Sequence, residues 1–293
     1  MSTQDEQGCT ILSIVGTCLA DLHILANVYF EPLDPDEISS AVYSLAYTET
    51  RYQCEIEYNH ETWITRMFRH ANGSLFAVSM EGELHTNRTG KWEVVNLGCP
   101  NGLNGVWAAE NNDIFSVGVG GERIHLHELE LTNSIDIEKR ELRNIHGSSR
   151  QNVFVVGDSG AVSRFNGKEW IDLKVGTKHA LFAVLCVSDK EVYIGGAHGM
   201  VFRWNGENFE WMGADPETPE AEITIYSLAI YQNKLYAAAG GDGVYVIGDN
   251  GLEKIKDVTF YNLNVIGDFM FGVGNRLVAR FDGAGWWGGN LDI

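Results

Sequence analysis

Short apolar runs alternate with tight polar interruptions along most of this chain, and the alternation has a fixed order. Leu181-Phe182-Ala183-Val184-Leu185 is apolar and is followed by the polar turn Ser188-Asp189-Lys190. Glu191-Val192-Tyr193-Ile194-Gly195 comes next, then the small residues Gly196-Ala197-His198-Gly199. Met200-Val201-Phe202-Arg203-Trp204 leads into Asn205-Gly206, and a last run carries Phe209 and Trp211. Short runs rich in β-branched and aromatic residues, bounded by turn residues, predict strands. The Asn-Gly pair predicts a type I′ hairpin turn, because both central positions of that turn need positive φ. Four antiparallel strands per unit follow.

The unit repeats. Val155-Val156-Gly157 leads through Gly160 to Arg164-Phe165-Asn166-Gly167-Lys168-Glu169-Trp170. Ile194-Gly195-Gly196 leads to Arg203-Trp204-Asn205-Gly206, and Val273-Gly274 leads to Arg280-Phe281-Asp282-Gly283-Ala284-Gly285-Trp286. Anchors near Ser79, Gly118, Gly157, Gly195, Gly240 and Gly274 lie mostly 38 or 39 residues apart. A period near forty residues predicts a propeller or a solenoid. Radial packing favours the propeller, since it gives each small sheet two neighbours and leaves only short edges.

Residues 63–293 hold six recognisable repeats. Residues 1–62 form a degenerate N-terminal blade or extension, with Ala41–Ala46 and Tyr52–Glu57 as candidate strands. The expectation is all-β: residues 1–293 as one β-propeller domain of four-stranded blades, seven in preference to six. The apolar run from Ile11 to Phe30 contains Asp21 and His23 and has no basic flanks, so it predicts a buried strand or helix beside the propeller rather than a membrane span. Glycines after the second strands are expected to let backbones crowd near the axis. Trp92, Trp170, Phe209, Trp211, Trp286 and Trp287 are expected to pack between blades.

These units resemble bacterial propellers of the BNR and photosystem-assembly-factor type, and more loosely WD40 repeats. The run from Val106 to Gly118 carries most of the likeness. The Ser-x-Asp-x-Gly-x-Thr-Trp loop of sialidase-type repeats is missing, as is the Gly-His and Trp-Asp pair of WD40 repeats. The resemblance therefore implies a fold and no particular activity.

Charge narrows the partners. The formal net charge is −19, from 40 acidic and 21 basic residues. Phosphate recognition needs clustered Lys and Arg, so neither nucleic acid nor an anionic membrane is an expected partner. Residues 1–60 contain ten acids and one base, Arg51. Residues 207–222 contain six acids and no base, where the repeat spacing lengthens. An insertion between blades is an exposed loop on a rigid scaffold, a favoured place for binding residues. The expected partner-binding residues are Asp215, Glu217, Glu220 and Glu222, with Trp211 as an aromatic anchor, and Asp34, Asp36 and Glu37. The expected function is non-enzymatic protein binding, of the kind a bacterial immunity-type inhibitor performs: a chain that is monomeric on its own holds a basic protein such as a toxin domain. Five cysteines without a Cys-x-x-Cys pair, and an N-terminus without a basic start, fit a cytoplasmic protein.

Candidate chemistry is sparse. His125 and His127 alternate on one strand and share a face, as a metal site would want, but no third ligand is evident. His70 and His146 follow the first strands of two units, the positions from which a composite site at the hub would be built. Arg164, Arg203 and Arg280 recur directly before a turn and read as structural residues of each blade. No catalytic residue and no cofactor is expected. The alternatives to a binding protein are a hydrolase or lyase acting on a glycan in the axial pocket, and an assembly chaperone.

Overall fold

The computed structural model describes residues 6–31, 38–47, 52–110, 113–136, 140–212, 223–248 and 251–293. It contains seven four-stranded antiparallel sheets. Each sheet uses four consecutive strands, so each blade is a contiguous piece of chain: residues 6–60, 64–96, 103–136, 142–172, 181–211, 227–256 and 262–290. The first strand of every blade is innermost. These are Glu6–Cys18, Ile64–Arg69, Leu103–Glu110, Leu142–Ser149, Leu181–Ser188, Ser227–Tyr231 and Asn262–Ile266, and they adjoin one another in a closed ring.

The run from Ile11 to Phe30 is not an appendage. It supplies most of the two long strands, Glu6–Cys18 and Asp21–Glu31, that form the inner half of the first blade. Ser39–Tyr47 and Tyr52–His60 are its outer half.

An innermost strand has one sheet neighbour, and its other edge leaves backbone groups to be satisfied. At six of the seven blade junctions, polar side chains from the preceding blade do this. Thr65 donates to the Leu103 carbonyl (2.7 Å), Asn104 to Leu142 (3.0 Å), Asn144 to Phe182 (2.9 Å) and Asn264 to Ile14 (2.9 Å). Ser13 accepts from the Met67 amide and Ser227 from the Leu263 amide. The hub is thus a ring of side-chain-to-backbone bonds laid across apolar interfaces.

Two local devices differ from the sequence expectation. In the third hairpin of the blade only the glycine has positive φ: Gly167 (93°), Gly206 (103°) and Gly283 (99°). The residue before it acts through its side chain. Asn166, Asn205 and Asp282 each accept two backbone N–H groups of their own turn at 2.8–3.0 Å. The turn is therefore a side-chain-capped loop rather than type I′, which explains why Asp replaces Asn in the last blade.

Gly157 and Gly274, at the ends of second strands, face their own blade's incoming chain, whereas Gly195 meets Ile225 on the segment entering the next blade. A Cβ on Gly157 would sit 2.2 Å from the Glu141 carbonyl oxygen, and one on Gly274 2.1 Å from that of Thr259. What crowds them is the segment entering the first strand, not a neighbour across the axis.

Aromatic residues make a relay around the outer ring. Trp170, Phe209 and Trp286 each pack on the last aromatic of the third strand, Phe165, Trp204 and Phe281 (4.9–5.3 Å between centroids). That aromatic in turn meets the preceding blade: Phe165 on Phe115, Trp204 on Phe154, Phe281 on Tyr236. Trp92 stacks on Tyr58 of the first blade at 4.3 Å. Trp287 departs from the expectation; it points outward and is 48 % exposed.

Candidate binding surfaces and the axial cavity

The acids expected to bind a partner, Asp34, Asp36, Glu37, Asp215, Glu217, Glu220 and Glu222, lie outside the described residues. Trp211 is described. It ends the fifth blade, half-buried, with its ring edge-on to Phe202 at 4.7 Å. It borders a surface pocket shared with Val175, Lys178, His179, Met200 and Phe209. The edge-to-face contact with Phe202 fixes the orientation of the Trp211 ring at the rim of that pocket.

The candidate histidines are engaged in holding blades together. His70 Nε2 donates to the Ala109 carbonyl of the next blade (3.1 Å). His146 Nδ1 accepts the Cys186 amide proton of the next blade (3.1 Å). Burial holds the His146 pKa down at about 4, which keeps that nitrogen a neutral acceptor. Burial also pushes the Cys186 thiol up, and its S–H donates back to the His146 carbonyl. His70 and His146 thus serve two separate blade junctions and do not meet.

His125 and His127 do share a face, as their spacing predicts, and both turn to one buried carboxylate. His125 stacks flat on Phe115 (4.3 Å, 5°) and bonds Asp113 Oδ1 at 2.8 Å. His127 Nδ1 lies 3.6 Å from the same oxygen, and Arg150 Nε lies 3.5 Å from Oδ2. Asp113 is the centre of a polar knot between the third and fourth blades.

The recurring arginines are structural, each in its own way. Arg164 bonds Asn152 and covers Phe154. Arg203 pairs loosely with Glu210 (3.6 Å). Arg280 lies over Phe269 and, across the seam, over Tyr47 of the first blade (4.1 Å).

A cavity of about 430 Å³ runs down the axis, lined by residues of all seven inner strands. Among the described residues, no Asp or Glu lines it. They therefore do not supply the carboxylate pair that glycosidic cleavage requires. The lining does include two arginines, Arg66 and Arg69, which lie outside the repeated phrases of the sequence. The signal was present: Arg66 stands where the aligned repeats have Gly105, Asn144 and Ala183.

No known family's sequence profile matches the chain. The immune protein Tsi7 of Pseudomonas aeruginosa is 23 % identical over 150 residues, a match covering 48 % of this chain and 46 % of Tsi7. The chain thus matches about half the length of that relative. Among solved structures, the WD40 propeller of Doa1 superposes with a TM-score of 0.70 at 8 % identity, over 95 % of this chain and 93 % of that one. The WD40 repeats of RRP9 give 0.70 at 13 % identity, over 94 % and 89 %. The computationally designed protein Ika8 gives 0.65 at 14 % identity, over 96 % and 86 %. At such identities the structural likeness speaks for the fold.

Proposed function

We propose that this chain is an immunity protein: a non-enzymatic propeller that neutralises a basic toxin domain by binding it. The observation that carries the reading is the sequence match to Tsi7, an immune protein. Charge supports it. A net charge of −19, with acids segregated in residues 1–60 and 207–222, would steer a basic domain onto the disc and speed association. The binding surface would combine Asp215, Glu217, Glu220 and Glu222 with Asp34, Asp36 and Glu37, and Trp211 would anchor it. We place this activity in the cytoplasm, with the chain monomeric until it meets its toxin.

The test is co-expression with a candidate toxin domain, such as one encoded by a neighbouring gene of the native host. The wild-type chain should restore growth and co-purify with the toxin. Reversing Asp215, Glu217, Glu220 and Glu222 to Lys should weaken the complex by roughly a hundredfold, chiefly by slowing association. Unchanged affinity in that variant would rule out the acidic-loop surface. Failure of the wild-type chain to protect would rule out immunity.

A further inference from the structure

The axial cavity has the opposite charge character to the rest of the molecule. Five inner strands share one irregularity, a bulge after a buried apolar residue, and the residue following it is Ser13, Arg66, Gly105, Asn144 or Ala183. Asn144 spends its amide on the Phe182 carbonyl, and Ser13 accepts the Met67 amide. Arg66 is the one long cation in this set. Its Nε is buried and has no hydrogen-bond partner, and no ion pair reaches it among the described residues. Arg69, on the same strand, is already balanced by Asp21 (2.8 Å).

A guanidinium stays ionised at any ordinary pH, so Arg66 cannot escape its surroundings by losing a proton. Burial lowers its pKa and no carboxylate offsets that. Arg66 is half-buried at the cavity wall, and a guanidinium whose Nε is shielded from water with no carboxylate beside it is a ready partner for an anion. The space to hold a partner exists. The cavity of about 430 Å³ greatly exceeds the ~30 Å³ share of one water molecule. Ile14, Val184, Leu228 and Val265 offer an apolar wall, and Asn262 adds an amide.

We propose that the axial cavity is a binding site for one carboxylate group, gripped by Arg66. Planar guanidinium and carboxylate match in a two-pronged geometry. The carboxylate belongs either to a small free organic acid or to an Asp or Glu side chain that a bound protein inserts into the hub. The chemistry is the same and the source differs. This site is independent of the acidic surface proposed above.

Calorimetric titration and thermal melting of the purified chain test it. Lactate and benzoate stand for free acids, and N-acetyl-aspartyl methylamide for a protein side chain. At least one should bind with 1:1 stoichiometry at a Kd below roughly 10 mM and raise the Tm by a few degrees at saturation. Tighter binding by the aspartyl compound points to a protein-borne group, and tighter binding by lactate or benzoate to a free acid. Arg66→Gln should weaken binding at least about tenfold, whereas Arg203→Gln, far from the axis, should not. Should Arg66→Gln fail to fold, Arg66→Lys replaces it and should also bind more weakly, since it keeps the charge but loses the fork. No saturation by any of the three compounds overturns the proposal, as does unchanged affinity in the Arg66 variant.

Discussion

His85 is buried and His146 half-buried, both as neutral bases, and the Nδ1 of each is hydrogen-bonded to a neighbour: His146 accepts from the Cys186 amide, and His85 pairs with the Tyr58 hydroxyl (2.8 Å). Burial depresses both to about 4 from 6.5, with His60 adding repulsion at His85. Between pH 6.5 and 4 the unfolded chain therefore binds protons that the folded chain refuses. Stability is full above that window and falls as pH drops through it. The Tm measured from pH 7.5 to 4.5 should decline accordingly. In His146→Gln, which keeps an acceptor for the Cys186 amide and cannot titrate, the decline should be shallower.

Glycines give a second prediction at this scale. Gly157→Ala places a methyl against the Glu141 carbonyl and should cost about 2–3 kcal/mol. Gly289→Ala meets nothing within 4 Å and should be neutral, within about 0.5 kcal/mol. Chemical denaturation of the two variants side by side checks the contrast.

The capped turn is the element that the sequence came closest to revealing. Asn-Gly marked its place, yet the working group is the Asn side chain, holding the amides of Glu207 and Asn208 in the fifth blade. Asn205→Ala should lose about 1–2 kcal/mol in denaturant titration, because two N–H groups lose their acceptor. Asn205→Asp should retain most of the stability, since Asp282 does the same work in the last blade. The repeat period exposed the blades because each must bury the same faces. It hid the first blade's inner pair because strands of 13 and 11 residues overrun the short-strand template. It also hid the cationic hub: a bulge decides which inner-strand residue faces the axis, and bulges leave no mark in composition.

At the scale of the whole molecule, the ring is closed by contact rather than by a blade shared between the chain's two ends. The first and last blades build one core from Ile11, Ile14, Ile24, Phe271 and Val278. Arg276 donates to the carbonyls of both Gln7 and Ile293, the Ile11 amide bonds the Gly274 carbonyl, and Asn264 reaches Ile14. Arg276→Ala removes two of these charge-assisted bonds and should cost about 2–3 kcal/mol. Hydrogen exchange in that variant should speed up first in Glu6–Cys18 and Asn262–Ile266, with the middle blades slower to respond.

The seam has one more consequence. Since every sheet is woven from a single stretch of polypeptide, the junction between the last blade and the first is the same kind of joint as the other six, lacking only the covalent tether. Arg276 holds the carbonyls of Gln7 and Ile293 on one guanidinium, so a brief glycine-serine bridge from residue 293 to residue 6 should be accepted. New ends opened at any other joint would then yield the same disc, rotated in its reading order.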